Sequence, residues 1–481
     1  MLERCRKEWP WQAGVVLLPI LLSVPFSATP LARDQGYFAY GGWRIHCGEL
    51  PYRDFWSNSF PGAFWWYWFM DVVPTVPRSI WNGLVIGLTA LLLTRVGRPT
   101  PWGGLAYGLT CPLLHRFWDI GQAEHLVNLL VAGSLVSARP VASGALLGAA
   151  ILTKPVAVLF IPLAVRRKWV WWAAGMAFTV GLCLIPYAAP TAMSRVWEDL
   201  VGFNSGYGAS TLNADLAERA CRAVLRWGAP LWPSIVLATV AVGRHRRIGL
   251  WLLLALAGVV FQGKLFTYHW VLLLAPLMLL AGYGVYYLPR MPRLARAVVL
   301  AVAVVPWCLM PNLPARTWYP AAVESLRGLE FLSGRISRDR YLAGFGTKAA
   351  GADFSALDQD RIVHEIVDRG CTTAVVWGFE PGVNYLSRTP CPIRYVADFP
   401  LTFPVRSERA RTLRDSHRAR FVEEFLAKKP GCVVVIHDDE NPVESTDSYH
   451  QMLEFPEFAA ILARDYRASA RIGSYSLWSR R

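Results

Sequence analysis

Residues 33–62 read RDQGYFAYGGWRIHCGELPYRDFWSNSFPG. The stretch carries Asp34, Glu49, Asp54, His46 and three arginines, Arg33, Arg44 and Arg53. It nevertheless lies between runs apolar enough to sit in lipid. Ionisable groups at the edge of a membrane are costly to desolvate, so such a stretch marks a candidate functional site.

The rest of the chain sets that stretch in context. Of 481 residues, 54% are hydrophobic and only 17% charged, and the mean hydropathy is +0.30. A soluble chain of this length has no need of such values, so the composition implies a polytopic membrane protein. The 22 Trp and 18 Tyr, many beside apolar runs, suit anchors at membrane interfaces. A net charge of +15 would suit nucleic acid. The basic residues instead cluster between apolar runs rather than along one amphipathic face, so nucleic acid is not expected as a partner.

Apolar segments fall at 10–32, 79–94, 101–117, 122–138, 141–153, 155–165, 169–189, 229–243, 248–263, 268–288 and 295–311. That makes about eleven spans, several shorter than the ~20 residues a helix needs to cross a bilayer. The pair 141–153 and 155–165 reads either as a hairpin bent at Lys154-Pro155 or as one kinked span. Loop charge sets the orientation. With Arg4, Arg6 and Lys7 in the cytoplasm, eleven crossings put every basic linker on that side: Arg95/Arg98, Arg139, Arg166-Arg167-Lys168, Arg244/Arg246/Arg247 and Arg290/Arg293/Arg296. The long segments 33–78, 190–228 and everything after 311 then face outward. The N-terminus also has the features of a cleavable signal peptide. Its mixed charges and the parity of the basic linkers favour a retained first helix.

Composition changes after residue 311. PNLPARTWYP reads as a Pro-rich linker. Beyond it, DRIVHEIVDRG, RARFVEEFLAKKPG and FPEFAAILARDYRAS read as helices, and CTTAVVWG, CVVVIHDD and GSYSLWSR as strands. The expected fold is therefore a polytopic α-helical membrane protein with a C-terminal extracytoplasmic α/β domain. Residues 1–311 form the membrane part and 312–481 the outer domain. Cysteine spacing resembles no metal site, and a Cys371–Cys391 bridge is one candidate in an outer, disulfide-permitting compartment.

Asp34 stands just past the end of the first apolar run. Burial there would raise its pKa and make it a better proton acceptor. A plainer reading pairs it with Arg33 or Arg44.

The run from Asp34, DQGYFAYGGWRIHCGELPYRDFWSNSFPGAFWWYW, resembles the first outer loop of the GT-C superfamily of membrane glycosyltransferases. It is similar in particular to the branch of polyprenyl-phosphate-dependent protein mannosyltransferases and aminoarabinose transferases. The matching positions are Asp34, Gly36, Tyr37, Tyr52, Asp54, Pro61 and Gly62. WDIGQAEHLVNLL resembles the next outer loop, with Asp119 and Glu124. LLGAAILTKPVAVLFIPLAV resembles the Leu-Thr-Lys-Pro hairpin, with Lys154 at the bend. FQGKLFTYHWVLLLAPLMLL resembles the late Lys–Tyr-His segment, with Lys264, Tyr268 and His269. The resemblance covers most of residues 1–311 in order. Two departures stand out. Ser59-Phe60 replaces a lysine that many relatives place before the Pro pair, and Gln35 replaces an acid, which weakens a two-carboxylate metal site.

The resemblance implies transfer of a sugar from a polyprenyl-phosphate donor to an extracytoplasmic acceptor, in a bacterial inner membrane. It implies Asp34 as general base. Such a transfer needs a base for the acceptor hydroxyl and cations for the leaving phosphate. Lys154, Lys264, Arg53 and His269 share the outer face and are the candidates for phosphate. Snorkelling is the plain alternative for Lys154, and packing for His269. Glu124 is a second candidate acid, or a ligand for acceptor hydroxyls or a divalent ion, or a partner of Arg116 or His125. Tyr37, Tyr52, Asp54 and Tyr268 are candidates to line the substrate, Asp54 and Glu49 equally to organise the loop. Trp56, Trp65, Trp66 and Trp68 suit either a sugar or lipid groove or an interfacial belt. No cofactor is called for, and a divalent cation stays open. A transporter or flippase of lipid-linked sugars is the rival class. It would need charges deep in mid-span and repeat symmetry between halves, and the sequence has neither. An inactive, scaffolding relative is a third option, left open by Ser59-Phe60.

Overall fold

The computed structural model describes residues 2–166, 168–205, 216–309, 312–346, 354–403, 405, 407–440 and 446–481. Arg167 of the basic linker and Pro311 of the Pro-rich stretch lie outside them. The chain is mostly helical and forms two compact units. The first comprises Met1–Thr29, Pro74–Ile185 and Ala214–Leu332; the second comprises Pro30–Val73, Pro186–Asn213 and Ser333–Arg481. Cutting the sequence at 311/312 gives a different division. Segments 30–73 and 186–213, which read as outer loops, group here with the C-terminal residues.

In the first unit, α1 (Leu2–Ser23) is followed by α4 (Arg78–Val96), α5 (Trp102–Leu114), α6 (Ala123–Val136) and α7 (Pro140–Thr153), taking α2 and α3 as the second unit's helices 33–46 and 61–72. Helices Trp169–Leu184, Trp232–Val242, Arg246–Phe261, Val271–Tyr287 and Arg293–Leu309 are the further apolar helices of this unit. Val271–Tyr287 is the centre of the unit, with every residue from Val271 to Gly284 buried. Apolar side chains alone give helices little reason to pack in lipid, so small residues set the contacts. A Cβ on Gly144 would lie 1.8 Å from the Trp172 carbonyl oxygen, and one on Gly175 would lie 2.0 Å from that of Val141. The backbones of α7 and Trp169–Leu184 therefore touch.

Among the described residues, four helical segments are long and apolar enough to cross a membrane: Arg78–Val96, Trp169–Tyr187, Leu216–Val242 and Thr267–Arg290. The other apolar stretches are shorter, among them Ala123–Val136, Pro140–Thr153 and Pro155–Ala164. The count of about eleven spans is thus not reached by length and hydropathy. The 141–165 segment breaks at Lys154, which is extended (φ −153°, ψ 123°), before a 3₁₀ turn over Pro155–Phe160. Pro155 lacks an N–H and pushes its predecessor out of the helical region, which explains the break.

In the second unit, the stretch 33–62 is more ordered than a loop. It opens with α2 (Arg33–His46) and ends at the start of α3 (Pro61–Val72). The Ala32 N–H donates to Gln35 Oε1 at 2.7 Å, so Gln35 caps the helix. Asp34 sits in the first turn, where a carboxylate meets the positive end of the helix dipole. Residues 35–42 are buried. Gly36 explains part of that: a Cβ there would lie 2.7 Å from the Gly382 Cα, so α2 and helix Gly382–Ser387 meet backbone to backbone. Arg33 Nε donates to Glu380 Oε1 at 3.2 Å beside this contact, and Tyr475 Oη donates to the other oxygen of Glu380. Tyr37 packs against Phe64 and Phe379.

A four-stranded sheet lies in the same unit: β1 (Ala374–Trp377), β2 (Cys432–Ile436), β3 (Tyr466–Ile472) and β4 (Tyr475–Arg480), in the order β1-β2-β4-β3. β1 and β2 are parallel and joined through helix Glu408–Lys428. β2–β4 and β3–β4 are antiparallel. The three expected strands and three expected helices form. β3 was hidden in the tail of FPEFAAILARDYRAS, where the helix stops at Asp465 and Tyr466 begins a hairpin strand. Two expectations are corrected. Residues 312–332 form a helix rather than a linker. Cys371 bonds to Cys432, not to Cys391. Cys371 precedes β1 and Cys432 opens its neighbour β2, paired with Ala374, so the sheet itself brings the two together. Cys391 is a buried thiol that donates to the Tyr395 carbonyl.

Gly36→Ala forces a methyl into the Gly382 backbone. It should cost about 1–3 kcal/mol of stability, read as a lower melting temperature of the detergent-solubilised protein. An unchanged melting temperature would mean that the two helices are not held this closely.

Candidate functional site

The predicted site residues divide between the two units. Glu124, Lys154, Lys264, Tyr268 and His269 belong to the first. Asp34, Tyr37, Tyr52, Arg53 and Asp54 belong to the second.

In the first unit the break after α7 delivers Lys154 to the start of α6, where its Nζ pairs with Glu124 Oε1. The Glu124 side chain is 1% exposed and that of Lys154 18%. This is neither a snorkelling lysine nor a glutamate paired with Arg116 or His125. Lys154 Nζ also stands 5.4 Å from the centroid of the Tyr268 ring, within cation–π range. Tyr268 and the buried His269 meet edge to face at 4.7 Å. The His269 imidazole feels both Lys154 and Lys264. Its Nδ1 is buried and has no hydrogen-bond partner among the described residues. Lys264 comes from a tight loop in which Gly263 (φ +67°) and Leu265 (φ +56°) both take left-handed backbone, and Arg219 donates to the Gly263 carbonyl. Two lysines, a carboxylate, a tyrosine and an imidazole thus gather at one end of α6 and of helix Val271–Tyr287.

The connection from α5 to α6 supports this end. Asp119 accepts from Thr267 Oγ1 at 2.8 Å and from the Arg116 N–H at 3.2 Å. Burial pushes the Asp119 carboxyl up to about 7, against the pull of those hydrogen bonds. Arg116 pairs with Glu324 at 2.9 Å, and Glu324 also accepts from the Phe117 N–H at 2.8 Å. Burial raises Glu324 as well. Glu324 belongs to helix Asn312–Leu332, 208 residues away from its partner. Nothing in its own surroundings, AAVESLRG, distinguishes it from a solvent-facing helix residue.

In the second unit the arginines beside Asp34 are engaged elsewhere, Arg33 with Glu380 and Arg44 with Glu49. Tyr52 is buried with a left-handed backbone (φ +65°), and its hydroxyl donates to the Ser59 carbonyl at 2.6 Å. Asp54 accepts from the Leu50 N–H at 2.8 Å and from Arg53. Tyr52 and Asp54 hold their own loop together, and Arg53 is the exposed member of the group. Trp56 is fully buried against Phe203, so it packs the interior and lines neither a groove nor a belt.

The buried Arg394 is a centre that the sequence did not single out. Its guanidinium donates to Asp199 at 2.7 Å and to the Tyr52 carbonyl at 3.0 Å, and its own carbonyl accepts from the Trp56 N–H. Burial raises Asp199 to about 7, although Arg394 pulls the other way. Burial, with Arg394 and Arg420 nearby, drives His417 down to about 3. His417 is held by the Tyr395 hydroxyl at 3.1 Å.

No family model matches the chain, and no curated protein matches its sequence. Among solved structures, the chain shares a fold with a known protein over nearly its whole length. The structure that shows this is ArnT from Cupriavidus metallidurans bound to undecaprenyl phosphate, at a TM-score of 0.51 and 12% identity over 98% of this chain and 97% of that one. The apo structure of the same ArnT aligns at a TM-score of 0.46 and 14% identity, over 99% and 98%. At this identity the likeness establishes the fold.

Two tests follow from the site. Lys154→Met removes the cation from a buried carboxylate and should cost about 3–5 kcal/mol. The double variant with Glu124→Gln should recover much of that in thermal melting; a double variant no more stable than the single one would show that the pair is not coupled. For His417, the unfolded chain takes up a proton near pH 6.5, whereas the folded chain refuses it until about pH 3. Stability therefore falls as pH drops through that window, and His417→Gln should melt with a shallower acid dependence than wild type.

Proposed function

We propose that this chain is an integral membrane glycosyltransferase. It moves a sugar from a polyprenyl-phosphate donor to an acceptor outside the cytoplasm. The observation that carries the reading is the buried Glu124–Lys154 pair, with Tyr268 beside the lysine and His269 feeling both Lys154 and Lys264. It occurs within a fold shared with a protein crystallised with undecaprenyl phosphate.

The chemistry assigns a role to each group. The acceptor oxygen attacks the anomeric carbon of the donor sugar. The new C–O bond forms as the bond from that carbon to the phosphate oxygen breaks, and the electron pair leaves with the phosphate. Lys154 and Lys264 meet the charge that builds on the leaving phosphate, as compact point charges suited to it. The phosphate competes with Glu124 for Lys154, so donor binding exchanges one anionic partner for another. Asp34, in the first turn of α2, takes the proton from the acceptor hydroxyl. Gln35 is committed to capping, which speaks against a carboxylate-pair metal site at this position. On this reading the protein sits in a bacterial inner membrane, and the basic linkers support an N-terminus on the cytoplasmic side with the C-terminal domain outside.

The test is transfer from a panel of radiolabelled polyprenyl-phosphate sugars in membranes carrying wild type, Asp34→Asn or Lys264→Met. Wild type should move label to an acceptor. Asp34→Asn should lose on the order of 10²-fold or more at unchanged protein level. Lys264→Met should lose activity in the same assay. Full transfer by Asp34→Asn would move the base elsewhere. No transfer by wild type, together with passage of lipid-linked sugar across proteoliposomes, would make the protein a transporter.

A further inference from the structure

We propose that Cys111, His115 and His125 form a binding site for a zinc-class divalent metal ion. The site lies within the first unit, and its His125 directly follows Glu124 in α6. Cys111 is in the last turn of α5, His115 follows that helix, and His125 is in the first turn of α6. All three are buried, at 0%, 3% and 1% exposure.

The geometry points to a metal. Cys111 Sγ is 3.7 Å from His115 Nε2 and 3.9 Å from His125 Nδ1, and the three donor atoms lie within 4.8 Å of one another. Bonds of about 2.3 Å to sulfur and 2.0–2.1 Å to nitrogen put tetrahedral ligand atoms roughly 3.5 Å apart. The two sulfur–nitrogen edges are therefore nearly formed already, and only the edge between the nitrogens needs a side-chain rotation to close. The tautomer is also prepared. His125 Nε2 lies 3.1 Å from the Asp119 carbonyl, which can only accept, so Nε2 carries the proton and the Nδ1 lone pair faces the sulfur. A carbonyl holding the far nitrogen of an imidazole is the usual second partner of a metal-bound histidine. A cavity of about 10 Å³ beside His115, lined also by Ser23, Ser79 and Asn82 and by apolar Phe26, Pro112 and Ile120, has room for about one water. The Ser79 hydroxyl is buried there with no hydrogen-bond partner among the described residues.

One thiolate and two imidazoles select zinc-like ions over magnesium or calcium. The site is thus distinct in kind from a hard-cation site at a phosphate. Binding is balanced by one proton: the Cys111 thiol releases it as the sulfur–metal bond forms, and the two imidazoles bind as neutral ligands. A bound ion would tie the end of α5 to the start of α6, and so fix the connection that carries Asp119 and the helix turn that carries Glu124.

The test is elemental analysis of the full chain, purified in detergent and washed with a weak chelator, as wild type, Cys111→Ser and His125→Ala. Wild type should retain about one zinc per chain, and both variants should lose it. Cobalt added to metal-stripped wild type should give a thiolate-to-cobalt charge-transfer band that Cys111→Ser lacks. Wild type needs no variant to fold, so its metal content and cobalt spectrum decide the matter alone. Wild type without retained metal and without the band would overturn the site and leave a thiol–imidazole packing cluster. Metal retained in full by Cys111→Ser would overturn it as well.

Discussion

A carboxylate at 1% exposure inside an apolar bundle needs a cation, and much of the first unit follows from that need. Glu124 opens α6 and Lys154 leaves α7. Pro155 keeps Lys154 from continuing the helix, so its side chain is released at the level of Glu124 instead of at a point along a helix face. The pair ties the end of one helix to the start of another. It also brings the lysine beside Tyr268, at the head of the most buried helix in the unit. Apolar residues at both positions together would pack as well and would leave the site without its charge.

The second unit rests on a different constraint, close backbone approach. Gly36 and Gly382 let α2 touch helix Gly382–Ser387, and Arg33 reaches the buried Glu380 beside that contact. Asp34 lies between these two anchors in sequence. Its neighbours on either side thus help to set the position of a candidate base. Arg394 does the same for the segment that follows, holding the Tyr52 carbonyl while paired with Asp199.

Features carried by local chemistry were legible in the sequence. Helices and strands of the C-terminal region came from hydrophobic period and turn residues, and the Lys154-Pro155 break from the steric demands of proline. The lysines and Glu124 stood out because charge is conspicuous beside apolar runs. Features carried by distant pairing were not legible. Glu324 and Arg116 are 208 positions apart, and Arg394 and Asp199 are 195 apart. Each reads locally as an ordinary polar residue. The Cys371–Cys432 bond escaped for the same reason, since which two cysteines meet depends on strand order. Asp54 and Tyr52 illustrate the converse: conspicuous residues whose bonds close their own loop.

The sequence alone determined that the chain is apolar and helical, that its basic residues sit in short linkers, and that its ionisable groups concentrate in a few segments. These properties follow from composition and from neighbours within a turn or two. Only the tertiary structure decided which ionisable groups are buried together, which glycines bring backbones into contact, and that Cys111, His115 and His125 converge. A buried charge or donor atom is defined by what replaces its water, and the replacing groups come from segments that proximity along the chain does not reveal.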